Sequence, residues 1–284
     1  MIKPIANPNG FRIFVSVDME GISGIVHPSQ TGSDPTEYER GRSLMAKDVN
    51  AAIEGMLEAG ASEIVVSDGH GHKRNIRAED LHESAVLVRG SPKSLAQMEG
   101  IKSAFDAAML IGYHAKRGTK HGIIDHTISS RVIDSVQVNG LEMGEMGLNA
   151  AIAGYFGVPL IFVSGDLAVT REVQALLPNT ITVAVKEAVS RTAAKCLHPK
   201  KARCLIKQGV LEAMKVRDRI QPFTIPPPIE LIVRYIDSLM ADVVENMPCV
   251  ERLDGKTIRI EQDDYLNAVR ALRASIMIAS TVTS

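Results

Sequence analysis

Asp18 and Glu20 stand one residue apart at the end of the apolar run "RIFVSV", in the stretch "SVDMEG". Side chains at i and i+2 of a strand share a face, so the two acids are expected to crowd together. Crowded, buried carboxylates repel. Either one takes up a proton, or the strand runs out into solvent, or a cation sits between them. Other apolar runs also close on polar residues: Asp68, His70 and His72 follow "EIVV", and His114 follows "AAMLIGY". His126 in "GIIDHT" and Glu145 in "MGEMGLNA" come in or after the next connection, the glutamate near the start of a helix.

Each of these has an ordinary structural reading. A strand-end histidine can serve as a hydrogen-bonder, "GHGH" as a polar turn, and a glutamate in a first helical turn is favoured by the macrodipole alone. His27, His82, His121 and His198 fall in polar loops or helix starts and carry no assigned role. Taken together, Asp18, Glu20, Glu145, His70 and His114, with His126 as a further imidazole, form a chemical set. Oxygen and nitrogen donors without sulfur fit zinc in a hydrolytic site, with manganese or cobalt as substitutes. Charge then bears on the number of ions. One divalent ion leaves three carboxylates in excess by one negative charge, whereas two ions balance three carboxylates and one hydroxide. Two metals about 3.5–4 Å apart can lower the pKa of a shared water and polarise a scissile carbonyl.

The elements that must position these residues read as alternating strands and helices. "PTEYERGRSLMAKDVNAAIEGMLEAG" and "EMGLNAAIAGYFG" have helical character; "SEIVVSD", "SAVLVRG", "DAAMLIGYH" and "VPLIFVSGD" read as short strands. This order predicts an α/β fold with a mostly parallel sheet flanked by helices, whose strand ends line a ligand crevice. Asn139-Gly140 marks a hairpin turn, expected as a flap or arm. After "HPKKARCLIKQGVLEAMKVRDRI", a long helix with Pro199 near its start, the breaker "QPFTIPPP" precedes strand, helix, strand and helix. The expected division is a catalytic metal-binding α/β part over 1–190 and a smaller α+β C-terminal part over 191–284.

Composition is that of an ordinary globular protein. The 284 residues are 45% hydrophobic, and 32 basic side chains stand against 33 acidic ones, so charge gives no case for nucleic acid or an anionic membrane as partner. "MIKPIANPNG" has no apolar core of a leader, and no apolar run approaches the roughly 18 residues of a membrane helix, which together point to a cytoplasmic protein. Three cysteines without C-x-x-C spacing speak against a disulfide framework or a thiolate zinc site. Cys196 and Cys204 are expected to pack as small apolar residues.

"SVDMEG", "DGH", "GYHA", "DHT" and "GEMGLNA", in that order, resemble the DppA-type D-aminopeptidases, a zinc peptidase family. The resemblance continues through "GYFGVPLIFVSGD" and "AVKEAVSRTAAKCL" and weakens after the proline cluster. It implies that Asp18 bridges two zinc ions, that Glu20, His70, His114 and Glu145 supply the other metal ligands, and that His126 is the catalytic histidine. In the family this histidine is sometimes described as a nucleophile; the chemistry favours a proton shuttle or a stabiliser of the tetrahedral intermediate. The resemblance further implies a homo-oligomer, a decameric double ring with an inner chamber, and release of N-terminal D-residues such as D-alanine from short peptides or amides. His72 is an additional histidine that could compete as a ligand or help bind substrate. The alternatives are a metal-dependent amidase or phosphoesterase acting on another small molecule, and a non-catalytic ligand-binding protein that keeps its metals for structure.

Overall fold

The computed structural model describes residues 10–283. The stretch read above for a leader lies, except for Gly10, outside the described residues. Seven strands form the main sheet: β1 (Phe11–Val17), β2 (Ala61–Asp68), β3 (Ala85–Val88), β4 (Ala107–Tyr113), β7 (Leu160–Asp166), β8 (Ile181–Ser190) and β9 (Ala193–Cys196). Their order is β3-β2-β1-β4-β7-β8-β9, parallel except for the β8–β9 hairpin. The α/β class and mostly parallel sheet are thus as expected.

From β1 the chain builds outward through β2 and β3, then returns to the other side of β1 to add β4 and β7. The topological switch therefore falls between β1 and β4, where an open α/β sheet leaves a crevice at its carboxyl edge.

β1 from Ile13 onward and all of β4 are buried, because both their faces are covered. Ile13, Val15 and Val17 pack on one side with Met45, Val49 and Ile53 of α1 (Pro35–Glu58) and with Ile206 and Val210 of α4 (Pro199–Val216). Asp34 caps α1, accepting from the N–H groups of Thr36 and Glu37, with Pro35 at the first helical position where a missing N–H costs nothing. On the opposite side Phe14 and Leu110 share a core with Leu148 and Ile152 of α2 (Glu145–Tyr155), and with Val269 and Leu272 of α6 (Tyr265–Ala279). A short α3 (Leu167–Leu176) follows β7.

A second, antiparallel sheet has the order β11-β12-β10-β5-β6. It is made of β5 (Ile133–Val138), β6 (Leu141–Glu142), β10 (Ile229–Tyr235), β11 (Val250–Arg252) and β12 (Thr257–Gln262), with α5 (Ser238–Val244) between β10 and β11. The hairpin at Asn139-Gly140 forms, both residues taking positive φ as a type I′ turn requires. It is not a free flap. β5 pairs with β10 along Leu231–Val138 to Tyr235–Ile133, which builds it into the second sheet. Residue 190 ends β8 of the β8–β9 hairpin, and α4, beyond it, packs on α1. Among the described residues no helix is long and apolar enough to cross a membrane. Cys196 and Cys204 are exposed rather than packed in a core, as is Cys249, and all three are free thiols.

Candidate metal centre

β1 ends at Val17, so Asp18 and Glu20 lie in a turn just past the strand instead of on alternate positions within it. The turn is forced close to β4. Gly21 N–H donates to Gly112 O at 2.8 Å, and a Cβ on Gly21 would lie 1.9 Å from Tyr113 O, so only glycine fits there. The acids still converge, by way of a tight turn at the crevice rather than by strand alternation.

The loop after β2 carries His70 and is pinned by Asp68. This carboxylate accepts from the Asn75 side chain and N–H at 2.6 Å and from Ile76 N–H at 2.8 Å. His114 follows directly on β4, and Glu145 opens α2. His126 sits in the loop between β4 and β5. Its neighbour Asp125 accepts from Gly118 N–H at 2.7 Å and from Arg191 at 2.8 Å, tying that loop to the β8–β9 connection.

These elements bring all six side chains together. His70 Nδ1 lies 3.1 Å from Glu20 Oε2 and 3.4 Å from Asp18 Oδ1. His114 Nε2 lies 3.5 Å from Asp18 Oδ2 and 3.4 Å from Glu145 Oε1, and His126 Nε2 lies 3.6 Å from the same Glu145 oxygen. Among the described residues, two groups have ligand atoms mutually within 4.8 Å: Asp18, Glu20 and His114, and His114, His126 and Glu145. His114 belongs to both.

The histidine tautomers follow from their other contacts, since a carbonyl can only accept. His70 donates from Nε2 to Thr31 O at 2.7 Å, His114 from Nδ1 to Ala115 O at 3.0 Å, and His126 from Nδ1 to Ile124 O at 2.9 Å. Each ring therefore turns its second nitrogen toward the carboxylates. A carbonyl that fixes the tautomer of a metal-binding histidine in this way is a recurrent outer-shell device.

Electrostatics agree with a cation site. Burial opposes ionisation of Asp18, yet the close approach and charge of His114 and His70 hold its carboxyl well below the usual range. Burial likewise opposes ionisation of Glu145, and His114 with His126 pulls it down nonetheless. Burial works against protonation of both His70 and His114, but the surrounding carboxylates raise each well above the ordinary imidazole value. Protons on these rings do the work that a bound cation would do.

Several supporting residues were given no role by the sequence: Gln97 lies outside the motifs, and Ser16, Tyr113, Asn149 and Lys186 lie within them beside the acids and imidazoles. Gln97 Nε2 donates to Glu145 at 2.6 Å and to Asp18 at 3.2 Å, bridging the two carboxylates. Its amide is oriented by Asn149, whose Nδ2 donates to Gln97 Oε1 at 2.6 Å and to Tyr113 Oη at 2.9 Å. Tyr113 in turn donates to Ser16 Oγ at 2.7 Å, and Ser16 to Gln97 O at 2.9 Å. Buried Lys186 on β8 donates to the carbonyls of Glu20, Ile22 and Ile25, which holds the turn after β1 in place. His72 is exposed and stands outside the cluster. The cluster opens into a cleft of about 850 Å³ lined also by Arg117, Ile128 and Arg191.

A doubly wound sheet with buried carboxylates and imidazoles at its switch point defines an α/β protein of the metallohydrolase kind. The D-aminopeptidase family model matches residues 11–274, and the chain belongs to that family. It is 35% identical over 262 residues to a D-aminopeptidase of Bacillus subtilis (strain 168), covering 92% of this chain and 95% of that protein. Among solved structures it matches the Zn-dependent D-aminopeptidase DppA from Bacillus subtilis, described as a self-compartmentalizing protease, with a TM-score of 0.94 and 33% identity. That match covers 96% of this chain and all of the other.

Proposed function

We propose that this protein is a binuclear zinc aminopeptidase that releases N-terminal D-residues, such as D-alanine, from short peptides or amides. The observation that carries this reading is His114 Nε2, a buried nitrogen without a hydrogen-bond partner, aimed between Asp18 and Glu145. Leaving such an atom unmatched is costly, and a metal ion would satisfy it. Asp18, Glu20, His70, His114 and Glu145 would hold zinc, Asp18 lying between the His70 and His114 sides. When bound, zinc supplies Lewis acidity, polarising the scissile carbonyl and making water a better nucleophile near neutral pH.

The chain's own residues do the rest. Gln97 keeps the Glu145 and Asp18 carboxylates apart and correctly turned. His126, its Nδ1 committed to Ile124 O, takes a proton at Nε2 and returns it to the leaving nitrogen. Assembly as a homo-oligomer, a decameric double ring, is supported by the near-complete match to a self-compartmentalizing protease. A cytoplasmic location fits the three exposed free cysteines, since exposed thiols persist in reducing compartments.

The test is metal analysis together with hydrolysis of D- and L-alanine amides and dipeptides. Two zinc ions per subunit are expected, with D-selective cleavage that a chelator abolishes and zinc restores. Turnover confined to phosphate esters, or bound metal without turnover of any amide, overturns the reading.

A further inference from the structure

The cleft over the carboxylate–imidazole cluster adjoins a second cavity of about 240 Å³. The two share Gly71, Lys73, Gln97, Ile128 and Glu145. Residues of α6 line the second cavity only, among them Leu272, Arg273 and Ile276. Leu95, Leu148 and Ile152 make the rest of its walls largely apolar. One cation in this lining lacks a counterion. Arg273 Nη1 is buried without a hydrogen-bond partner. Glu99 is the acid whose charge acts on Arg273, but its Oε2 already accepts from Ser94 Oγ at 3.0 Å and Leu95 N–H at 2.9 Å. Lys73, the other cationic group of the lining, is spent on Gly69 O.

Guanidinium keeps its charge at any ordinary pH, and a buried N–H left unmatched is costly. A planar fork of donors matches a carboxylate in a bidentate pair. The cavity fits one alkyl group bearing one negative charge. A dianion such as phosphate fits worse, because the walls are apolar and Glu145 stands at the shared edge.

We infer that Arg273 anchors a substrate carboxylate in this cavity, making it a specificity-determining residue for substrates that carry a carboxylate over their neutral counterparts. The inference rests on the aminopeptidase reading for the identity of the substrate. Two groups could supply the carboxylate: the free C-terminus of the leaving residue, or an acidic side chain on the N-terminal residue. Both place a carboxylate beyond Glu145 while the scissile bond stays at the metal cluster.

Two substrate pairs separate them: D-alanyl-D-alanine against its C-terminal amide, and D-glutamic acid α-amide against D-glutamine α-amide. With zinc-loaded protein, one acidic member is expected to exceed its neutral partner at least tenfold in kcat/KM, and which pair shows it identifies the source. Arg273→Gln should erase that ratio mainly through KM, and Arg273→Lys should restore part of it. Ratios near one in both pairs for the unsubstituted protein overturn the inference without any variant, as does a ratio that survives Arg273→Gln in folded, zinc-loaded protein. Should none of the four be cleaved, the activity reading fails on its own. Calorimetric titration of the same compounds then decides the carboxylate site, by whether the acidic members bind more tightly and lose that advantage in Arg273→Gln.

Discussion

His126 lies flat against His114, ring centroids 4.1 Å apart and planes 10° from parallel, and both direct Nε2 at the same Glu145 oxygen. The stacked pair differs in depth. His114 is buried, whereas His126 is partly open to the cleft, where it can meet a substrate. That division suits a ligand beside a proton carrier.

His126→Ala should therefore lower turnover by about 10²–10⁴-fold, the usual worth of a positioned acid or base. Zinc content should stay near that of the unsubstituted protein, because the remaining five side chains are untouched. Metal analysis and kcat on D-alanine amide check both halves. Trapping a covalent acyl-histidine on quenching would reassign His126 as a nucleophile.

Zinc binding should release protons at neutral pH. In the metal-free chain the neighbouring carboxylates raise His70 and His114 well above 6.5, so both rings carry protons at pH 7. Only neutral imidazole binds a metal, so loading should expel about two protons per subunit. Apparent zinc affinity should accordingly climb with pH through the range in which these rings titrate. Calorimetry in buffers of different ionisation enthalpy counts the protons; zero release would mean that the rings are already neutral.

Asp48 offers a test of stability away from the proposed metal ligands. It is buried on α1, accepts from Ser23 N–H and Ser23 Oγ at 2.9 Å each, and is raised by burial to about 6. Between the unfolded value near 3.8 and 6, the folded state holds the extra proton, so this group's contribution to stability falls as pH rises through that window. At about 1.4 kcal/mol per unit, the cost of the ionised form above pH 6 is on the order of 3 kcal/mol. Asn at this position can accept from Ser23 N–H and donate to Ser23 Oγ. Denaturation of metal-free protein should show Asp48→Asn gaining on the parent by about that amount between pH 4 and pH 7. A constant difference across the two pH values would refute it.

The convergence of these side chains was legible because the acids and imidazoles interrupt apolar runs, and a doubly wound sheet gathers strand ends at one crevice. Asp18, His70 and His114 follow adjacent strands β1, β2 and β4 for that reason. What the sequence hid depends on contacts between distant segments. Gln97 lies in a single 3-10 turn, Ala96–Met98, and meets Glu145 across 48 positions, and Lys186 meets Glu20 across 166. The Asn139-Gly140 turn was readable locally, but the partner that makes β5 part of a sheet is β10, roughly ninety positions on. Turn chemistry is local; the choice of sheet partner is not.

Lys186 shows how such a hidden contact should govern the metal. Its ammonium is buried, pushed down to about 8 by that burial, and spends its donors on the carbonyls of Glu20, Ile22 and Ile25. Lys186→Met keeps the length of the stem but leaves three carbonyls of the turn without their donor. Release of the lysine's own desolvation cost offsets part of the loss, so stability should fall by only about 1–3 kcal/mol. The larger effect should be on metal retention, because Glu20 sits on the loosened turn: about 10–100-fold weaker zinc binding, as expected for loss of an outer-shell anchor. Competition against a chromophoric chelator reads the affinity, and thermal unfolding of the metal-free form reads the stability. Equal losses in both would make Lys186 a general core residue. A loss concentrated in zinc affinity makes it the clamp on the Glu20 turn.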